Sequence, residues 1–222
     1  MKAALAAEAL TEQVAHRLLA LTDDRLMSHG VSEGGEVVPD VHVYDDVLPD
    51  PEGYRALALA HVFQTFTVGE VQWNGFAECE PSGLTDWLHD MRPDLTATLS
   101  LLRQSPEGQA EPHYIHTDRS MGDWTAILYL TPSPQAGDGT DFWRHRWSGA
   151  TESRAQSATE MAQEANAWSD RDQWSLRRHV ASRFNRVVLF PAAYFHSRSL
   201  RENYGSGDTA RLTQIVFCKK DT

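Results

Sequence analysis

Three residues of this chain have the types and the order of a metal-ligand set. His116 and Asp118 stand two apart in His113-Tyr114-Ile115-His116-Thr117-Asp118. Side chains at i and i+2 of an extended segment point to the same face, so an imidazole and a carboxylate there can share one ion. His196 comes later, in Phe190-Pro191-Ala192-Ala193-Tyr194-Phe195-His196, after a β-branched apolar run that ends in a turn. Two neutral nitrogens and one anionic oxygen form the facial set of non-haem Fe(II), which leaves coordination positions open for oxygen and a second ligand. Zinc accepts the same donors. With ten histidines in the chain, these three residues alone carry little weight.

A second pair lies downstream. In Ala210-Arg211-Leu212-Thr213-Gln214-Ile215-Val216-Phe217 the pattern alternates, so Arg211 and Thr213 share one strand face. A guanidinium beside a hydroxyl can grip a carboxylate with paired hydrogen bonds. Alternatively, Arg211 sits on a solvated edge. The cluster Trp143-Arg144-His145-Arg146-Trp147 offers Trp143, Arg144 and Arg146 as a substrate rim. Its plain reading is an exposed strand with aromatic ends. Arg103 is a weaker candidate of the same kind. His42, His61, His89 and His179 show no partner pattern and read as surface residues.

These residues need strands to position them, and the chain supplies short ones in its second half. Runs at 112–117, 124–131, 139–146, 182–190 and 210–219 are separated by turn residues such as Pro132-Ser133-Pro134 and Gly137-Asp138-Gly139. That spacing predicts a sandwich or barrel. A further strand is expected at 96–105. Residues 148–180 form a polar insert, helix-like around 158–167, with the means to be a lid, an outer packing element or a homodimer contact. Before the strands, residues 3–21 carry leucines near helical spacing, and 22–39 read as a loop. Val41–Tyr44 reads as a strand, and 52–62 as a helix capped by Asp50 with Pro51 at its first position. Ser82–Met91 reads as another helix. The segment 63–82 has no clear period.

Length and charge narrow the function classes. The chain's 222 residues suit one domain, with 1–95 packed on a core at 96–219 and the insert emerging from that core. A net charge of −11 argues against nonspecific binding to nucleic acid or anionic membrane. Two cysteines without CxxC spacing argue against a disulfide framework and a cysteine zinc site. No run reaches transmembrane length, and the amino-terminal stretch is interrupted by Glu8 and Glu12, so a cytoplasmic location is expected.

In order, the chain shows His-x-Asp, Ile127-Leu128-Tyr129-Leu130, Gly139-Thr140-Asp141-Phe142, Phe190-Pro191, His196 and Arg211-x-Thr213. This set resembles the Fe(II)/2-oxoglutarate-dependent dioxygenases, in particular their prolyl-hydroxylase-like branch. The resemblance covers about 96–219, and Val43–Ala60 is similar to the lead-in of that branch. It implies a mainly β fold with flanking helices, built on a double-stranded β-helix (jelly-roll, cupin-like) core. It implies that His116, Asp118 and His196 hold iron. Arg211 would pair with the distal carboxylate of 2-oxoglutarate, assisted by Thr213 and by Tyr129, which stands where some relatives have a donor tyrosine and reads equally well as an ordinary core aromatic. The implied reaction consumes O2 and 2-oxoglutarate, releases succinate and CO2, and oxidises a small molecule, amino acid or peptide residue. Halogenating relatives replace the carboxylate at Asp118 by a small residue, so its presence implies hydroxylation or another oxidation without halide ligation. The acidic charge disfavours duplex nucleic acid as substrate. Two alternatives stay open: a cupin-like metal enzyme that does not use 2-oxoglutarate, and a noncatalytic binding protein on the same fold.

Overall fold

Val187-Val188-Leu189-Phe190 is apolar at every position, as expected of a strand covered on both faces. A computed structural model describes residues 36–68, 71–79, 83–109, 115–155, 171–200 and 202–221. In it, these four residues form the centre of β8 (Arg186–Pro191) and are fully buried. Val187 and Leu189 join one core, Val188 and Phe190 another. The same alternation runs through β5 (Trp124–Tyr129) and β10 (Arg211–Lys220). Leu128, Leu189 and Leu212 turn to the first core, while Ile127 and Val188 turn to the second.

The first core lies under two helices, α1 (Pro51–Leu59) and α2 (Leu84–Met91), which contribute Ala58, Leu84 and Leu88. Asp50 caps α1 as the sequence predicts, its carboxylate accepting from the Gly53 N–H at 3.0 Å. Asn185 pins the segment that leads into α1. Its side chain accepts from the Leu48 N–H at 2.8 Å and donates to the Leu48 carbonyl at 2.9 Å. A left-handed φ of 61°, which asparagine tolerates better than most residues, closes the tight turn before β8.

The second core lies between two sheets. The large one has the order β1-β8-β5-β10-β4-β3-β2, with β1 at His42–Tyr44, β2 at Gln64–Val68, β3 at Val71–Glu78 and β4 at Leu95–Ser105. The small one has the order β7-β6-β9, with β6 at Gly139–His145, β7 at Trp174–Ala181 and β9 at His196–Arg198. All the pairings are antiparallel. Phe142 meets Phe190 edge-on across the gap, ring centroids 5.1 Å apart, so the fold is a β-sandwich.

Several sequence expectations need correction. The unassigned segment 63–82 contains the hairpin β2–β3, whose polar residues Gln64, Thr65, Gln72 and Asn74 conceal the strand period. The last part of the 148–180 insert is strand β7. A bulge opposite Phe142 and Trp143 leaves Arg177 unpaired between Leu176 and Arg178, which breaks the alternation. The strand expected at 182–190 starts at Arg186, after the turn at Asn185. At 115–117 a single bridge from His116 to His196 replaces the expected strand. The predicted helix at 3–21, the loop at 22–35, the helix-like 158–167 and His113 lie outside the described residues.

Candidate metal centre

His116 and His196 exchange both backbone hydrogen bonds, each at 2.9 Å. Two residues on, the Asp118 N–H donates to the Ala192 carbonyl at 2.8 Å, and the Asp118 carbonyl accepts from Met121 at 2.8 Å. The turn 191–196 therefore holds both ends of His-x-Asp. Ligand atoms of His116, Asp118 and His196 all lie within 4.8 Å of one another. Asp118 Oδ2 is 3.3 Å from His196 Nε2, and Asp118 Oδ1 is 3.7 Å from His116 Nε2.

The surroundings orient these donors. His196 Nδ1 lies 2.9 Å from the Tyr194 carbonyl, which can only accept, so Nδ1 carries the proton and Nε2 faces Asp118. The Phe190 ring packs against the same imidazole at 4.7 Å. Thr125, fully buried, donates to Asp118 Oδ2 at 2.9 Å. Burial alone would raise the Asp118 pKa, but His196, His116 and the Thr125 hydroxyl together hold it below the usual carboxylate range. For His196, burial lowers the pKa, and the nearby Asp118 carboxylate more than offsets this, leaving it raised. A carboxylate kept ionised between two imidazoles, with both rings directed at it, is a donor set that fits one divalent ion.

These three residues open into a cavity of about 80 Å³. Arg211 and Thr213 line it from β10, with Ile215 and Phe217 further along the same face. Arg211 is held from behind: its Nε donates to both carboxylate oxygens of Asp138, at 3.0 and 3.1 Å. Tyr129 sits beside the Arg211 guanidinium, 5.9 Å from ring centroid to Cζ, but it does not line the cavity. Its hydroxyl meets Thr140 Oγ1 at 2.6 Å across the sheets, and Thr140 is the member of this pair that lines the cavity. Burial raises the Tyr129 pKa above the ordinary tyrosine range, so the hydroxyl keeps its proton.

Of the rim candidates, only Arg103 lines the cavity. It stands opposite Thr213 on β4, its guanidinium 4.7 Å over the Phe76 ring. Trp143 is buried, donating from its indole to Ser197 Oγ at 2.9 Å, with the Arg171 guanidinium 4.3 Å over its ring. Arg144 pairs with both carboxylate oxygens of Glu36, and Arg146 Nε donates to the Trp174 carbonyl at 2.9 Å. His179, read as a surface residue without a partner, is mostly covered and has one: its Nδ1 lies 2.7 Å from Asp141 Oδ1.

Sequence reasoning missed Asp138, Thr140, Thr125 and Arg198. Arg198 lines the cavity from β9, opposite Thr140. Asp138 was concealed by its flanking glycines, which make Gly137-Asp138-Gly139 look like an ordinary turn. Gly137 takes a positive φ of 81°, and a Cβ on Gly139 would stand 2.1 Å from the Val180 carbonyl oxygen. The turn is thus built to bury Asp138 against β7 and β10.

The fold is similar to that of two solved structures. One is the non-heme alpha ketoglutarate dependent carbocyclase SnoK from nogalamycin biosynthesis, at 17% identity, with 82% of this chain and 79% of that chain covered and a TM-score of 0.56. The other is the non-heme alpha ketoglutarate dependent epimerase SnoN from the same biosynthesis, at 14% identity, 82% and 78% coverage and a TM-score of 0.52. No curated protein matches the chain by sequence. The model of a family of unknown function, DUF6445, matches residues 88–218, which takes in all three candidate ligands and Arg211, and the chain belongs to that family.

Proposed function

We propose that the protein is an Fe(II)- and 2-oxoglutarate-dependent oxygenase that hydroxylates a small molecule, an amino acid or a peptide residue. The carrying observation is the convergence, in one cavity, of the His116–Asp118–His196 donor set with Arg211 and Thr213. The strand order supports a double-stranded β-helix. The central strands of the large sheet run β8-β5-β10-β4, and in the small sheet the His116 bridge continues the order β7-β6-β9. The cofactor dependence given for SnoK and SnoN points the same way. The cavity of a single domain spanning core and lead-in would serve one small substrate.

In this reading His116, Asp118 and His196 hold the iron. Thr125 and the Tyr194 carbonyl fix the ligand atoms that they present. Arg211, through its Nη edge, takes the distal carboxylate of 2-oxoglutarate, and Thr213 and Thr140 supply hydroxyls beside it. Ile127, Ile215 and Phe217 give the cavity apolar walls that exclude water. Bound iron would supply the oxygen chemistry, with 2-oxoglutarate as reductant leaving as succinate and CO2, one oxygen atom in the succinate and one in the product. Asp118 fills the position that a halide would need, which favours hydroxylation or another oxidation without halide over halogenation.

The test is succinate release with iron and 2-oxoglutarate across amino-acid, peptide and natural-product panels. Wild-type protein is expected to bind one iron per chain anaerobically and to release succinate, and Arg211→Ala to lose the release while keeping the iron. Iron stoichiometry near zero sinks the enzyme reading. Activity that survives Arg211→Ala makes the protein a metal enzyme that does not use 2-oxoglutarate.

A further inference from the structure

Among the described residues Asp138 is the carboxylate that pairs with Arg211, and both side chains are deeply buried. An isolated buried charge is very costly, so this pair must be made well or not at all. It is made well. Both Asp138 oxygens take the Arg211 Nε–H, and Oδ2 also accepts from the Tyr204 hydroxyl at 2.9 Å. Burial and the neighbouring Asp138 push the Tyr204 hydroxyl up to about 12, so it remains a donor across the working pH range. The backbone fixes Asp138 as well: its N–H donates to the Gln135 carbonyl at 3.0 Å and its carbonyl accepts from Ser182 at 2.8 Å.

A guanidinium has five N–H donors in a rigid plane. Holding Nε fixes the rotation of that plane and decides which edge meets the cavity. We propose that Asp138 and Tyr204 are positioning residues for cosubstrate binding: they clamp Arg211 through Nε, so that its Nη edge alone faces the cavity beside Thr213. The clamp also explains how one arginine can bind and release a carboxylate repeatedly. With Asp138 behind it, Arg211 is never an uncompensated buried cation in the empty site. The inference rests on the 2-oxoglutarate reading above.

The experiment measures 2-oxoglutarate binding by anaerobic calorimetry on the iron-loaded full chain, with KM and kcat for succinate release. The Arg211 Nε–H signal of the protein without cosubstrate is followed by NMR. Asp138→Ala is expected to weaken 2-oxoglutarate at least tenfold, with kcat at saturation within about threefold and iron affinity within twofold. Asp138→Asn and Tyr204→Phe should weaken it two- to fivefold. The Arg211 Nε–H should be protected from exchange in wild type and exposed in Asp138→Ala. If Asp138→Ala does not fold, Asp138→Asn and Tyr204→Phe decide. Unchanged or tighter 2-oxoglutarate binding in these variants overturns the proposal, because Asp138 is then only a counter-ion. Iron affinity falling in step with 2-oxoglutarate also overturns it, as general collapse of the site. If Arg211→Gln binds 2-oxoglutarate as wild type does, the cosubstrate assignment has failed, and the NMR signal still reports whether the clamp exists.

Discussion

The two faces of β10 divide the work of the molecule. Leu212, Val216 and Cys218 point to the helix-covered side, where they join Leu128, Leu189, Leu84 and Leu88. Arg211, Thr213, Ile215 and Phe217 point to the gap between the sheets, where they line the cavity with the three candidate ligands. The strand period of two puts apolar packing and chemistry on alternate residues of one segment. The outer face is mainly apolar packing, while the inner face carries the candidate ligands and a buried ion pair beside the second core. Lesions on the two faces should have separable signatures.

The largest expected effect is on the inner face. Asp118→Ala removes the one anionic ligand atom set between His116 and His196. Succinate release should fall by at least about a thousandfold, equivalent to roughly 4 kcal/mol of barrier, with iron affinity lost in titration and thermal stability close to wild type. A large drop in Tm would show that Asp118 is a structural group and would erase the contrast between the faces. The converse is Leu189→Ala, at a fully buried position on the outer face. It should cost about 2–5 kcal/mol in denaturant unfolding, the usual range for truncating a buried leucine. Iron affinity of the folded fraction should stay within twofold.

Legibility in the sequence followed the same division. Fully apolar or cleanly alternating strands such as 187–190 and 211–217 were readable because their neighbours on both sides dictate residue type. The edge hairpin β2–β3 was not, since an edge needs few apolar residues. Strand β7 was hidden by its bulge at Arg177. At the candidate centre, His116, Asp118, His196, Arg211 and Thr213 could be named because a chemical role restricts their types and order. Asp138, Thr140, Thr125 and Arg198 could not. Asp138 meets Arg211 and Tyr204 from distant parts of the chain, Thr125 and Thr140 reach their partners across a turn, and nothing local distinguishes a buried Asp138 in a Gly-Asp-Gly turn from an exposed one. The rim arginines Arg144 and Arg146 show the reverse failure: a conspicuous local cluster whose partners, Glu36 and the Trp174 carbonyl, lie away from the cavity lining.

A smaller effect probes how far the inner face extends behind the ligands. Thr125→Val removes the hydroxyl that donates to Asp118 Oδ2 while keeping the volume of the side chain. Groups that orient metal ligands typically contribute 10- to 100-fold in affinity, so iron binding should weaken by about tenfold. Unchanged iron affinity would mean that the turn at 191–196 alone sets the carboxylate.

The smallest effect lies outside both faces, at the end of β8. Arg186 Nε donates to Asp45 Oδ1 at 2.6 Å, its Nη2 donates to Oδ2 at 2.9 Å, and Arg183 adds a bond to Oδ2 at 3.0 Å. The hydrogen bond from Arg186 is the main cause that holds the Asp45 pKa below its ordinary value, against the opposing effect of partial burial. A depressed carboxylate pKa contributes stability that is fully present above the unfolded value, about 3.9, and is lost as pH falls through the lower folded value. The Asp45 side chain is 33% exposed, so solvent screening limits the contribution to about 0.5–1 kcal/mol despite the two-pronged geometry. Asp45→Asn should lower Tm modestly at pH 7, and the gap to wild type should close as pH drops below about 4, toward the folded pKa. A gap that persists unchanged at pH 3 would assign the loss to packing of the loop after β1 rather than to the ion pair.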